Sequence, residues 1–362
     1  MVNLNQTCQE HSINSSCSWP FSDVVAASLT IAMIIVAIIT IVCNTAVLTV
    51  IFNKPMLQNA TGFLMFSLAI ADLLIGLFTM PTLIVTLLAK NWVFGDAFCS
   101  VSGVIQTAMS NLSVCVIVGL CIDRYIAILR PLRYCSIISR KRVIFYLMIA
   151  WSFSILLASL PLFGLHQFGL GRYTYLPSEA SCWLSIADSY NFIILFINLF
   201  LAYTLGIFIV YCLIYRVARR SFFRISDITL TLSPKHDRRV NSKAAKTTFV
   251  IVGAFILCWM PRMILLIYQV QLKLRNDPQL AHHTVSPIVM LLLTWLSLIN
   301  SALNPLIYGT YNRNFRRSVV EILSTGEARS RGESLSNPHA RKISNFTTKS
   351  SSRTTCTNCS SS

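Results

Sequence analysis

Seven apolar runs of spanning length constrain this chain more than any other feature. They lie at about 24–52, 60–88, 99–129, 143–165, 189–215, 247–271 and 285–309. A run of at least about 18 apolar residues is long enough to cross a bilayer as a helix. Seven in succession predict an all-α membrane protein, a seven-transmembrane helix bundle over residues 24–311. Only 12% of the residues are charged, against about 25% in soluble domains. A chain solvated by lipid needs that shortage, because each ionised group in hydrocarbon costs several kcal/mol. A soluble chain of this length would divide into about two domains; the repeated runs predict a single bundle instead.

The formal charge is +17, and its placement decides what it means. Of the 30 Lys and Arg residues, 24 fall in alternate loops and the C-terminal tail. Four (Lys90, Arg172, Lys273, Arg275) fall on the opposite side, and Arg124 and Arg262 lie within runs. The positive-inside rule therefore puts the N-terminus outside and the basic tail in the cytoplasm; the plasma membrane is the location expected. The excess charge faces anionic inner-leaflet lipid and cytosolic partners rather than nucleic acid. Met1 to Ser18 are polar and lack the charged n-region of a cleaved signal peptide. The first helix is accordingly expected to direct its own insertion.

Residues 1–23 read as an extracellular segment, with Asn5 and Asn14 as glycosylation acceptors. Asn59, Asn345 and Asn358 fit the same pattern but fall on the cytoplasmic side and are discounted. Residues 312–323 set Phe315, Val319, Ile322 and Leu323 at helical spacing among basic residues. That predicts a short amphipathic eighth helix on the inner membrane surface. Residues 324–362 are rich in Ser, Thr, Arg and Asn and read as a disordered tail. Cys8, Cys17, Cys99 and Cys182 fall outside or at the outer rim, where oxidising conditions favour pairing. Cys8 and Cys17 are candidates to pair with each other, and Cys356 and Cys359 are candidates for palmitoylation. Cys43, Cys115, Cys121, Cys212 and Cys258 lie in runs and are expected to pack as small apolar groups.

Ionisable and helix-breaking residues inside the runs carry the sharper signal. Asp72 sits mid-run in Leu68-Ala69-Ile70-Ala71-Asp72-Leu73-Leu74, and Asp123-Arg124-Tyr125 closes the third run. Cys258-Trp259-Met260-Pro261 interrupts the sixth, and Asn304-Pro305-Leu306-Ile307-Tyr308 ends the seventh. Asn44 lies in the first and Trp151 in the fourth. In this order, one set per helix, they resemble the rhodopsin-like (class A) G protein-coupled receptors, over about residues 24–323. On physical grounds alone, Pro261 and Pro305 remove intrahelical hydrogen bonds and make pivots for a two-state bundle. Arg124 beside Asp123 can pair internally at rest and be released on activation.

The resemblance implies more. It joins Cys99 to Cys182 by a disulfide that pins the second outer loop over the pocket. It gives Asp72, Ser113, Asn300, Ser301 and Asn304 to an allosteric sodium ion, in keeping with the oxygen ligands that hard cations take; a hydrated polar network without an ion is the plainer alternative. It makes Asp123, Arg124, Tyr125, Tyr211, Asn241, Phe255, Pro261, Pro305 and Tyr308 the activation positions, and Leu132 the residue inserted into a heterotrimeric G protein. Arrestin and receptor kinases would act at the Ser/Thr-rich tail. No resident cofactor is implied.

The third run puts Gln106, Met109, Ser110 and Ser113 on one helical stripe. Gln106 stands where amine receptors of this family carry an ammonium-binding Asp. Leu195, Phe196 and Leu199 fill the stretch where catecholamine receptors use serines. The pattern is otherwise amine-like, notably at Trp295. Arg262, one turn above Trp259, can meet an anionic ligand group. It can equally form a structural salt bridge to Glu179 or Asp188, or bond carbonyls freed by Pro261. The ligand pocket is thus expected to include Gln106, Met109, Ser110, Trp259 and Arg262, and its ligand not to be a simple biogenic amine.

Two further departures concern activation. Tyr203 stands where most members have the Pro that bulges the fifth helix, and Asn241 where many have an acid facing Arg124. No Lys occurs between Thr284 and Thr310, which excludes a retinal Schiff base on the seventh helix. A channel or transporter would need polar residues across the whole bilayer, and an intramembrane enzyme paired catalytic groups. His282 and His283 have no companions in the runs, so no enzyme is expected. An amine receptor with a non-standard anchor and a non-signalling decoy are the alternatives; the intact Asp123-Arg124-Tyr125 argues against the decoy.

Overall fold

The computed structural model describes residues 19–164, 166–225, 235–275, 285–311 and 315–321. Asn5, Asn14, Cys8, Cys17, His282, His283 and residues 322–362 lie outside them, as does the side chain of Asn241. Among the described residues, seven helices are long and apolar enough to cross a membrane. They are α1 (Asp23–Asn53), α2 (Ala60–Ala89), α3 (Gly95–Leu129), α4 (Arg140–Ser159), α5 (Ile186–Ile225), α6 (Lys235–Arg275) and α7 (Pro287–Tyr311). Between α4 and α5 the strands β1 (Tyr173–Leu176) and β2 (Ser181–Leu184) form an antiparallel hairpin, with Tyr173 opposite Leu184. Residues 315–321 are helical, inside the span expected of the amphipathic helix.

Helix ends follow capping chemistry rather than hydropathy. Ser22 accepts from the Val25 amide at the start of α1. Ser139 does the same for Arg142, so α4 begins in the basic segment Arg140–Arg142, ahead of the apolar run. Asn59 caps α2 by accepting from Gly62 N at 2.9 Å. A side chain at Gly62 would meet the Leu57 carbonyl at 1.7 Å, so the turn into α2 requires glycine there.

The buried middle of α3, around Leu112, Val116 and Ile117, is the axis on which α2, α4, α5 and α6 pack, while α1 packs on α2 and α7. Past Asp72, α2 widens into a π turn over Ile75–Thr79, which the sequence pattern does not reveal. Gly76 within it comes so close to α1 that an added Cβ would sit 3.0 Å from Thr40 Cγ2. α5 keeps helical dihedrals through Tyr203 and departs from them at Ser189 instead, in line with the missing proline.

The hairpin is fixed at three points. Cys182 is disulfide-bonded to Cys99 at the start of α3, with 5.3 Å between the Cα atoms. Tyr173 lies against Gly103, where an added Cβ would fall 2.2 Å from its ring, and its hydroxyl donates to Ala158 O at 2.8 Å. The four-residue loop Pro177–Ala180 is closed by Glu179 N donating to Leu176 O at 3.0 Å. Ala180 takes φ +50° there, a left-handed conformation uncommon outside glycine, and is fully buried.

Candidate ligand pocket and transducing face

The hairpin tip reaches into the bundle. A cavity beneath it is lined by Gln106, Ser110, Trp183, Trp259, Arg262 and Thr294, with Phe196, Thr107, Met263 and Ser297 completing the wall. Its free volume is about 10 Å³, room for about one water molecule. Gln106, Ser110, Trp259 and Arg262 thus come together as expected. Met109 is buried on α3 but is not part of this wall; its side chain belongs to the apolar core, while Gln106, Thr107 and Ser110 of the same stretch face the cavity.

Of the roles open to Arg262, the structure forms the salt bridge to Glu179. Arg262 Nη2 donates to both carboxylate oxygens of Glu179, at 2.7 and 2.8 Å, and Nη1 donates to Thr294 Oγ1 at 3.0 Å. Thr294 in turn donates to Glu179 Oε2 at 3.2 Å, and the guanidinium lies 4.8 Å over the Trp183 ring. The two charged side chains are only 6% and 3% exposed. A buried pair of this kind is a poor source of net stability, yet removing one partner costs about 3–5 kcal/mol by stranding the other. Asp188, the other acid considered, pairs with Arg172 at 3.7 Å instead. Glu179, Trp183 and Thr294 had weak sequence signals: each depends on a hairpin register and a helix rotation set by distant parts of the chain.

The cavity floor leads inward. Trp259 stacks on Phe255 with ring centroids 6.0 Å apart, and Phe255 meets Phe200 at 5.8 Å. These contacts join α6, just before Pro261, to α5.

Deeper still, Asp72 is fully buried. Its Oδ2 accepts from Asn304 Nδ2 at 2.9 Å, Ser301 lies beside the carboxylate, and Asn44 ties α1 to the Ser301 carbonyl at 3.1 Å. Asp72 Oδ1, Asn300 Oδ1 and Asn304 Oδ1 are buried without a hydrogen-bond donor. Unpaired acceptors of this kind around one carboxylate fit a hard monovalent cation. Ser113 is also buried, and its hydroxyl donates to its own helix at Met109 O, leaving the oxygen free to accept. Tyr308 packs near Asp72, its hydroxyl likewise unpartnered.

At the far end of α3, Arg124 is held inward. Its Nε donates to Asp123 Oδ2 at 2.9 Å, Nη2 pairs with the same carboxylate, and Nη2 also reaches Thr61 Oγ1 at 2.5 Å. Asp123 is further bonded by Thr61 at 2.9 Å and by the Tyr134 hydroxyl at 2.6 Å. Burial first, and then the Asp123 charge, push the Tyr134 phenol well above its ordinary range, so it stays a donor. Tyr125 is half-buried beside this cluster, and Tyr211 packs edge-on to Phe249 at 5.6 Å. Leu132, in the single turn Pro131–Arg133, is 100% exposed. Pro305 lies within α7 and Pro261 within α6.

The profile of the 7 transmembrane receptor (rhodopsin family) matches residues 43–308. The human (Homo sapiens) histamine H2 receptor is 29% identical over 299 residues, covering 82% of this chain and 79% of that protein. Trace amine-associated receptor 7e of Rattus norvegicus is 30% identical over 346 residues and 92% of both chains. G-protein coupled receptor 161 of Xenopus tropicalis is 27% identical over 325 residues, or 80% of this chain and 59% of its own length. Seven spanning helices, the Cys99–Cys182 disulfide and a match across most of the bundle agree: the chain belongs to the rhodopsin family of seven-transmembrane G protein-coupled receptors.

Proposed function

We propose that the chain sits in the plasma membrane with its N-terminus and hairpin outside. There it carries a signal from a ligand that is not a simple biogenic amine to a heterotrimeric G protein. One observation carries the ligand statement: the carboxylate at the cavity is Glu179, and it is already bound by a buried guanidinium. Gln106, at the amine-anchor position, offers a neutral amide. An ammonium entering this pocket would find no free anion among the described lining residues. The relatives named for histamine and trace amines are similar to this chain across most of the bundle.

The transducing end supports the rest. Arg124 is tethered to Asp123 and Thr61, a resting arrangement from which it is released on activation. Asp72 and its unpaired acceptors hold sodium in that resting state, and Asn5 and Asn14 carry glycans. Receptor kinases and arrestin act on the Ser/Thr-rich tail. The decoy alternative lacks a positive observation, since Asp123-Arg124-Tyr125 is intact.

The experiment is nucleotide exchange on a panel of heterotrimeric G proteins in membranes bearing the chain. At least one is expected to respond. Leu132→Asp, at a fully exposed position, should lower that exchange roughly tenfold at unchanged surface level. No response from any G protein, or potent activation by a simple amine, overturns the corresponding half of the reading.

A further inference from the structure

The Arg262 cluster is built like a binding site that the chain itself fills. Arg262 Nη2 donates to both carboxylate oxygens, Nη1 holds Thr294, whose hydroxyl donates to the same carboxylate, and Trp183 covers the cation face. A guanidinium and a hydroxyl thus converge on one carboxylate under aromatic cover, which is a setting that recognises an anion. The occupant is the side chain of Glu179, carried on the tip of a loop whose neighbour Ala180 is held at positive φ. A second feature points to a ligand that also carries a hydrogen-bond donor, which its carboxylate cannot supply. Gln106 Oε1 is buried without a donor, although Gln106 lines the same cavity.

The two partners of the pair are not equally free to leave. Arg262 belongs to α6, next to Pro261, and cannot withdraw from the bundle without the helix. Glu179 belongs to the four-residue loop Pro177–Ala180, whose two backbone hydrogen bonds are made within the turn itself, so its withdrawal requires that turn and not a helix to move. An incoming ammonium that took Glu179 would strand a buried guanidinium, which is strongly unfavourable. An incoming carboxylate that took Arg262 would release Glu179 to solvent and leave no charge unpaired. The remaining cavity admits only about one water molecule, so a ligand enters only where the tip gives way.

Resting on the receptor reading above, we infer that Arg262, Thr294 and Trp183 form a carboxylate subsite. Glu179 occupies it in the resting chain, and a carboxylate-bearing ligand displaces Glu179 from it. The exchange moves no charge into the bundle, and it replaces a tethered occupant on the hairpin with a free one. The contact that straps α6 and α7 to the hairpin, and through Cys182 to α3, is thereby cut.

The test reads binding and not signalling, so it stands apart from the G protein experiment. Thermal unfolding of the purified Glu179→Ala chain is measured in sodium acetate, sodium propionate and sodium chloride at equal concentration, which keeps sodium constant. Small carboxylates should raise the midpoint of Glu179→Ala by roughly 2–4 °C over chloride. The gain should be smaller in the unmutated chain and absent in Glu179→Ala combined with Arg262→Met. If Glu179→Ala does not accumulate, Glu179→Gln, which keeps an oxygen toward the guanidinium, takes the same comparison. Equal midpoints in all three salts, or a gain that survives Arg262→Met, overturns the subsite. Carboxylate binding in a chain that drives no G protein would sink the signalling reading alone.

Discussion

Asp72 poses a choice that a single side chain cannot avoid. A carboxylate with no solvent exposure must be neutralised or paired, because an isolated charge in the bundle is too costly. Asn304 satisfies one oxygen and leaves the other, together with the Asn300 and Asn304 amide oxygens, without donors. The proposed sodium ion would satisfy all of these at once, and binding only to the folded resting chain would stabilise it by mass action. At ten times the dissociation constant the gain is about 1.4 kcal/mol. Replacing sodium by an impermeant organic cation should therefore lower the unfolding midpoint of the unmutated chain by a few degrees. Asp72→Asn, which removes the charge and adds a donor, should show the same midpoint in both salts. An unmutated chain indifferent to the exchange would leave the polar network without an ion.

Among the elements, the hairpin has the most demanding local geometry. β1 can lie on α3 because residue 103 has no side chain, which lets the Tyr173 ring approach and its hydroxyl reach Ala158 O. Gly103→Val would push the ring aside, lift the tip and strain the Glu179–Arg262 pair. The expected loss is on the order of 3 kcal/mol, within the range for overpacking a filled contact. It would be read as a lower midpoint and faster thiol exposure at Cys99 and Cys182 under mild reductant. An unchanged midpoint would mean that the disulfide alone positions the hairpin. This element also marks the limit of what the residues disclosed. The seven helices were plain because lipid forces long apolar runs, and Gln106, Ser110, Trp259 and Arg262 converge because helical spacing fixes faces. The ends of α4, α5 and α6 run past their apolar stretches because capping and amphipathic turns, not hydropathy, end a helix. Glu179 was one of several possible partners for Arg262. Choosing it requires the β1–β2 register and the disulfide to act together across 83 residues.

For the molecule as a whole, the question is how the two ends of the bundle share control of one equilibrium. α3 and α6 are held together at the outer end by the hairpin, through Cys99–Cys182 and Glu179–Arg262. At the opposite end Arg124 is bound by Asp123 and Thr61, which belong to α3 itself and α2, so these contacts do not hold α6. Many members of the family add an acid on α6 that faces this arginine; here the position is Asn241. A neutral amide offers roughly half the strength of a charge-assisted bond, and Arg238, Arg239 and Lys243 beside it in the sequence supply no acid in its place. A resting state weakened by about 1 kcal/mol shifts the equilibrium toward the active one about fivefold. A population near 1% active then becomes roughly 5%, which an amplified pathway reports as ligand-free signalling. Asn241→Glu should restore the missing clamp and lower ligand-free G protein turnover about fivefold at matched surface level. Combining it with Gly103→Val separates the two ends, since one substitution closes the inner face while the other loosens the outer strap. If Asn241→Glu leaves turnover unchanged, the hairpin and Asp72 govern the resting state, and the inner ends of α3 and α6 part without an electrostatic latch.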